Sequence, residues 1–330
     1  MLGFVLDNST QSALNGTMEA QVRHLPLTLS IAAVERDTGL SKDTLRVWER
    51  RYGFPRPTRD AIGERAYPLD QVERLRVVKR LLDAGHRPGR VVALPHAALC
   101  QLADSTVGQP RQAVLAGLGA GELRHLVSLL RQHETEAVRR LLSLQLARLG
   151  VRGFVVDVIA PLNQAIGDAW MRGELEVFEE HLYSELVQAA LRQALTAIPP
   201  PAGPDAPRVL LTTLPGEPHG LGLLMAEAIL ALEGCTCLSL GVQTPVLETA
   251  KAALALRADV VALGFAGSLG LKQVLDSLGE LRAALPRNVQ IWAGGNAPGL
   301  QRRPLDGVHL IDSLNQIPEA LTDHRRGAAT

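Results

Sequence analysis

Glu217-Pro218-His219-Gly220-Leu221-Gly222 stands between two apolar stretches of different period. Residues 209–214 are a short continuous run, as a strand buried on both faces requires, whereas residues 221–232 can form an amphipathic helix. The hexapeptide is therefore the turn of a strand–helix unit. Further apolar runs at 237–240, 260–265, 289–293 and 308–311 alternate with helical stretches at 245–257 and 271–285. This alternation predicts a doubly wound, mostly parallel sheet over residues 206–322, with a tail at 323–330.

In such a sheet a ligand binds beyond the carboxyl ends of the strands, and the unusual residues fall there. Glu217, His219 and Gly222 follow the first strand. Ser239-Leu240-Gly241 and Thr244 end the second, Gly267-Ser268 the third, and Gly294-Gly295-Asn296 the fourth. Glycines let a large ligand approach backbone amides, and hydroxyls can bond its polar parts. Neither GxxxxGK[ST] nor GxGxxG occurs in the chain, which argues against a phosphate cradle of those types. His219 is a candidate metal ligand and Glu217 a group that would orient it.

Upstream, residues 108–200 are rich in Leu, Ala, Arg and Gln and read as a four-helix bundle with helices at 122–131, 134–149, 151–171 and 175–195. Val155, Ile159, Leu162, Ile166 and Trp170 recur at helical spacing and form a core stripe. Glu180-His181 follow Trp170 across Gly173, so a hairpin would return them to its neighbourhood. A carboxylate and an imidazole on a buried face need polar partners, because unpaired burial costs several kcal/mol, so by themselves the two read as a surface pair.

Residues 25–98 carry a different pattern, and residues 1–24 read as a flexible leader. Ser30 caps a helix that ends near Thr38, Gly39 turns the chain, and Ser41 caps a second helix over 42–52. Val34, Leu40, Leu45 and Trp48 can form the shared core of a helix-turn-helix. That leaves Lys42, Thr44, Arg46, Glu49, Arg50 and Arg51 to face a major groove. Residues 53–59, too rich in Gly and Pro for helix, and Arg65-Ala66-Tyr67 then read as a wing. Its Arg56, Arg59 and Arg65 would meet phosphates, and Tyr67 would pack the wing or donate to a phosphate.

Charge supports the same division. The chain is neutral overall, yet between Arg23 and Val92 there are 15 Lys and Arg against 9 Asp and Glu, so the rest carries an equal acidic excess. Cys100, Cys235 and Cys237 make no CxxC pair and no even disulfide framework, which fits a reducing cytoplasm. No apolar run has the length of a membrane span, and the first residues lack a signal-peptide pattern.

The N-terminal strings resemble the MerR-type winged helix-turn-helix over about 70 residues: Leu29-Ser30-Ile31-Ala32-Ala33-Val34 through Gly39-Leu40-Ser41, then Leu45-Arg46-Val47-Trp48-Glu49-Arg50-Arg51-Tyr52-Gly53-Phe54-Pro55, then Arg65-Ala66-Tyr67. Glu217-x-His219-x-x-Gly222 resembles the Asp/Glu-x-His-x-x-Gly loop of Rossmann-like (flavodoxin-like) cobalamin-binding domains. Ser239-Leu240-Gly241 and Gly294-Gly295 are similar to the segments that hold the cofactor's nucleotide tail. With Trp170 and Glu180-His181 in a preceding bundle, the chain from about 26 to 320 resembles the CarH/LitR adenosylcobalamin-dependent photoreceptor regulators.

The resemblance implies that His219 is the lower axial ligand of cobalt while Trp170, Glu180 and His181 cover the adenosyl group. It implies an oligomer, a tetramer in the dark, that binds operator double-stranded DNA and releases it in light. The chain departs from some family members at Met171, where they carry a His after the motif Trp; a thioether is a weaker ligand for oxidised cobalt than an imidazole. Two other readings stand beside this one: a regulator of the same architecture that does not sense light, and a cobalamin-dependent methyl carrier.

Overall fold

The computed structural model describes residues 28–60, 62–83, 85–106, 119–201, 203, 206–267, 269–295, 300 and 305–328. The expected leader, Ser268 and Asn296 lie outside them. Two compact units divide the chain, residues 1–102 and 103–330.

In the first unit, β1 (Thr28–Ser30) leads into α1 (Ile31–Thr38) and α2 (Lys42–Tyr52). The expected caps are present. The Ser30 hydroxyl accepts from the Ala33 amide at 3.3 Å and that of Ser41 from the Thr44 amide at 3.1 Å. Gly39, at φ 69°, makes the turn between the helices, a conformation that costs a side chain-bearing residue strain. Val34, Leu40, Leu45 and Trp48 are all buried, as their spacing requires. β2 (Thr58–Arg59) and β3 (Arg65–Pro68) form the wing, and β3 is the central strand of an antiparallel sheet of order β1-β3-β2. α3 (Leu69–Asp83), the one-turn α4 (Pro88–Val91) and α5 (His96–Thr106) complete the unit. α5 runs past the boundary expected at 98, because Leu99 and Ala103 are buried one turn apart and continue the core.

Tyr67 corrects one expectation. Its side chain is fully buried and its hydroxyl has no hydrogen-bond partner, so it packs the wing and presents nothing to a phosphate. Burial also pushes the phenol's pKa up.

The second unit begins with helices α6 (Ala120–Arg131) and α7 (Thr135–Gly153), a π-helical segment (Phe154–Ile159), then α8 (Ala160–Met171) and α9 (Val177–Thr196). The break expected at Gly150 is present, at φ 65°. The π segment was not legible, but its cause is: Pro161 has no amide to donate and its ring crowds the carbonyl one turn back, which the wider turn relieves. Val155, Ile159, Leu162 and Ile166 form the buried stripe, while Trp170 is only half-buried.

Five parallel strands follow: β4 (Arg208–Thr212), β5 (Thr236–Ser239), β6 (Val260–Phe265), β7 (Gln290–Gly295) and β8 (Val308–Ile311), ordered β5-β4-β6-β7-β8. They alternate with α10 (Leu221–Leu232), α11 (Val246–Ala255) and α12 (Leu271–Ala284). The order reverses beside β4, which makes the end of that strand the crossover point where ligands bind. A last helix, α13 (Ile317–Ala328), replaces the expected tail: Ile317 and Leu321 bury one face of it against the core. One face of the sheet and the bundle share a single apolar core, which runs from Leu126 and Val138 through Ala228 and Ile229 to Val209 and Val260.

Replacing Tyr67 by Phe removes a buried hydroxyl that bonds to nothing. Chemical denaturation should show the N-terminal unit stabilised by roughly 1 kcal/mol, with DNA affinity unchanged. Weakened DNA binding would return the hydroxyl to the interface.

Candidate functional site

Glu217 and His219 meet at the carboxyl end of β4. The Glu217 side chain is fully buried, and its Oε1 lies 2.6 Å from His219 Nδ1 and accepts from the His219 amide. Its Oε2 accepts from the Ala266 amide at 2.9 Å, which ties the loop to the end of β6. Burial pushes this carboxyl up, but the bonds from the His219 ring and from the Ala266 and His219 amides outweigh it and hold the group down at about 2. Glu217 is therefore an anion near neutrality. It fixes the imidazole proton on Nδ1, so the ring's lone pair resides on Nε2. The imidazole itself is 60% exposed.

Hydroxyls that the sequence reading missed hold this loop to its neighbour. The Thr213 hydroxyl donates to the Glu217 carbonyl at 2.6 Å and accepts from the Gln243 amide at 2.8 Å. The Thr212 hydroxyl bonds the Gly241 carbonyl and, at 2.8 Å, the Thr244 hydroxyl. Two adjacent threonines ending a strand otherwise made of Val and Leu were the available signal. Thr244 thus braces loops, whereas Ser239, Leu240, Gly241 and Gly222 are exposed along the sheet edge. Gly220 closes against Val242, since a Cβ there would lie 2.9 Å from Val242 Cγ1. Gly295 has an internal reason to be glycine as well: at φ 94° its Cβ would lie 2.2 Å from the Phe265 carbonyl oxygen. Gly294 is half-buried beside Ile311.

This edge fits a corrinoid. Among the described residues no group of three or more His, Cys, Asp or Glu could hold a metal ion. The oriented imidazole of His219, 60% exposed, is the nitrogen donor that this edge presents. Exposed Leu240 and Val242 next to the loop offer an apolar surface to the face of such a ring.

Trp170 and Glu180-His181 are brought to one end of the bundle. α8 stops after Met171, and Gly173, at φ 73°, reverses the chain with its amide donating to the Trp170 carbonyl. Leu175 is buried beneath the turn, and the Glu176 amide donates to the Glu179 carboxylate where α9 begins. Glu180 and His181 form a pair on the outer side of the bundle rather than a buried face. Glu180 is half-buried and accepts from the Ser184 hydroxyl at 2.8 Å, and His181 is 71% exposed, 3.7 Å from Glu180. The buried carboxylate is Glu179, 3.1 Å from His133 Nε2 across the bundle. Helix packing places 179 inward and leaves 180 and 181 on the open side.

The bundle also docks on α10, the helix that opens behind His219. Tyr183 donates a short hydrogen bond to Asn163, whose amide nitrogen lies 3.2 Å from Met225 Sδ. Arg152 pairs with Glu233 at the other end of α10.

In the N-terminal unit, α2 turns its charged side outward. Arg50 and Arg51 are exposed, Arg46 is 3.1 Å from Asp43, and Lys42 is 3.6 Å from Glu35. The Thr44 and Ser41 hydroxyls are 2.8 Å apart. In the wing region Arg56 and Arg59 are exposed and anchored to the Gly53 and Gly63 carbonyls. Arg65 differs from expectation: it forms a two-toothed pair with Glu49, at 2.9 and 3.5 Å, and so clamps the wing to α2. Its guanidinium was read as a phosphate contact because the partner lies 16 residues away in sequence.

Comparison with known proteins agrees with both units. Residues 29–94 match the family described as MerR HTH family regulatory protein, and residues 122–194, the bundle, match a B12 binding domain. The monomethylamine corrinoid protein of Methanosarcina barkeri aligns with a TM-score of 0.47 at 15% identity, over 60% of this chain and 96% of that one. The HTH-type transcriptional repressor CarH of Myxococcus xanthus is 34% identical over 270 residues, 78% of this chain and 86% of the relative. CarA, another such repressor from the same organism, is 33% identical over 293 residues, 88% of this chain and 95% of the relative. With a winged DNA-reading unit, a B12-binding bundle and that extent of identity, the chain belongs to the CarH/CarA family of MerR-type, cobalamin-binding transcriptional repressors.

Proposed function

We propose that the chain is a light-responsive repressor that holds operator DNA when loaded with adenosylcobalamin in the dark and releases it on illumination. The observation that carries this is the Glu217–His219 pair, a pre-oriented imidazole at the crossover point of the sheet, below a bundle whose family binds B12. Bound adenosylcobalamin supplies a light-sensitive cobalt–carbon bond and a bulky, removable upper group.

The residues divide the work. His219 Nε2 ligates cobalt, and Glu217 raises that nitrogen's basicity through Nδ1. Ser239, Leu240, Gly241, Gly222 and Gly294 line the path of the nucleotide tail, while Thr244 and Gly295 shape it. Trp170 packs against the adenosyl group, and Glu180 and His181 bond its sugar side. Because the same bundle is docked on α10 through Asn163 and Met225, loss of upper-face contacts changes how the hairpin around Gly173 packs. In this reading the dark oligomer is a tetramer, whose several winged units bind repeated half-sites more tightly than one could. Met171 would offer a thioether where an imidazole would be the stronger metal ligand.

His219→Ala should abolish the colour change on mixing with adenosylcobalamin, and Glu217→Gln should weaken uptake by about 10- to 100-fold, both followed by absorbance titration. Uptake by His219→Ala equal to that of the parent would refute the assignment. Loaded protein should elute larger in the dark than after illumination on gel filtration, with parallel loss of DNA binding; DNA affinity that ignores light while following cobalamin would select the light-insensitive reading. Arg50→Ala or Arg56→Ala should weaken all duplexes alike and reduce the salt slope by about one.

A further inference from the structure

At 3.6 residues per turn, Asp43, Val47 and Arg50 follow one another down the side of α2 that faces away from the buried Leu45 and Trp48. The spacing i, i+4, i+7 makes them a single stripe. Asp43 and Arg50 are what an exposed helix ordinarily carries. Val47 is not: a β-branched apolar side chain, 42% exposed, whose neighbours on the outer surface are Arg46, Arg50, Arg51 and Asp43.

Among the described residues, Val47 is not part of the buried core on which its helix rests. Its helix is already anchored by Leu45 and Trp48, and the wing is clamped to α2 through Glu49 and Arg65 rather than through this face. A lone exposed apolar residue needs no explanation on an ordinary surface. On the face that enters a major groove its match is the 5-methyl group of thymine, the largest apolar feature among edges dominated by donors and acceptors. The flanking side chains make the contact selective. Arg46 is paired with Asp43 at 3.1 Å, and exposed Arg50 and Arg51 flank the stripe with positive charge suited to phosphates or guanine edges.

We propose that Val47 is a specificity-determining residue that reads a thymine in each operator half-site through its methyl group. The inference rests on the chain's DNA-binding reading and adds to it which base is read and by what. It requires no particular state of the cobalamin site.

The test uses the full chain, loaded with adenosylcobalamin and kept dark, on a duplex selected by that protein from a random-sequence pool. Each thymine is replaced in turn by 2′-deoxyuridine, which removes only the methyl, and affinity is read by fluorescence anisotropy. One thymine per half-site should be sensitive, with about three- to fivefold loss per methyl, as burial of one such group implies. Val47→Ala should lose a similar factor on the parent duplex and lose nothing further on the deoxyuridine duplex, the non-additivity expected of a direct contact. Indifference to every deoxyuridine, or a penalty that persists unchanged in Val47→Ala, would overturn the proposal alone. A chain that selects no duplex would overturn the DNA-binding reading, and this one with it.

Discussion

A buried carboxylate facing an imidazole carries the organisation of the second unit. Glu217 is withdrawn from water at the end of β4, where an unpaired charge would be costly, and is satisfied by the His219 ring, the His219 amide and the Ala266 amide. Those three bonds fix the loop between β4 and α10, set the tautomer of the imidazole, and couple the loop to β6. Thr213 adds the adjoining loop by bridging the Glu217 carbonyl and the Gln243 amide. The His219 loop is therefore tied to the ends of β4 and β6 and to the segment after β5.

The bundle is joined to the same place from the other side. It shares its apolar core with the sheet and bonds α10 near the middle through Asn163 and at the end through Arg152. α10 is thus a lever common to both: its first turn begins beside His219 and its length lies under α9. The half-buried Trp170 and the exposed Phe178 and His181 stand around the turn of a hairpin that buried Leu175 and Glu179 hold to the bundle.

Much of this was legible because it is local. Caps at Ser30 and Ser41, the turn at Gly39, the break at Gly150 and the reversal at Gly173 depend on backbone preferences and on bonds spanning a few residues. The parallel sheet was legible from the alternation of apolar runs, whereas its crossover point waited on the strand order. The reading failed where a partner is distant in sequence. Arg65 looked like a free cation until Glu49 met it, Tyr67 looked like a donor until the wing buried it, and the π segment follows from how one proline is accommodated within a packed helix. Glu179 and Glu180 are adjacent carboxylates that local sequence cannot rank, and only the position of His133 decides which goes inside.

By itself, then, the sequence determined most of the elements, their order, the family resemblance and the position of the loop imidazole, since each rests on spacing along the chain. The tertiary structure alone decided which charged groups are spent on internal pairs and which remain for a ligand or for DNA. Pairing depends on distance in space, and burial on everything packed around a residue, and neither quantity is written in its neighbours.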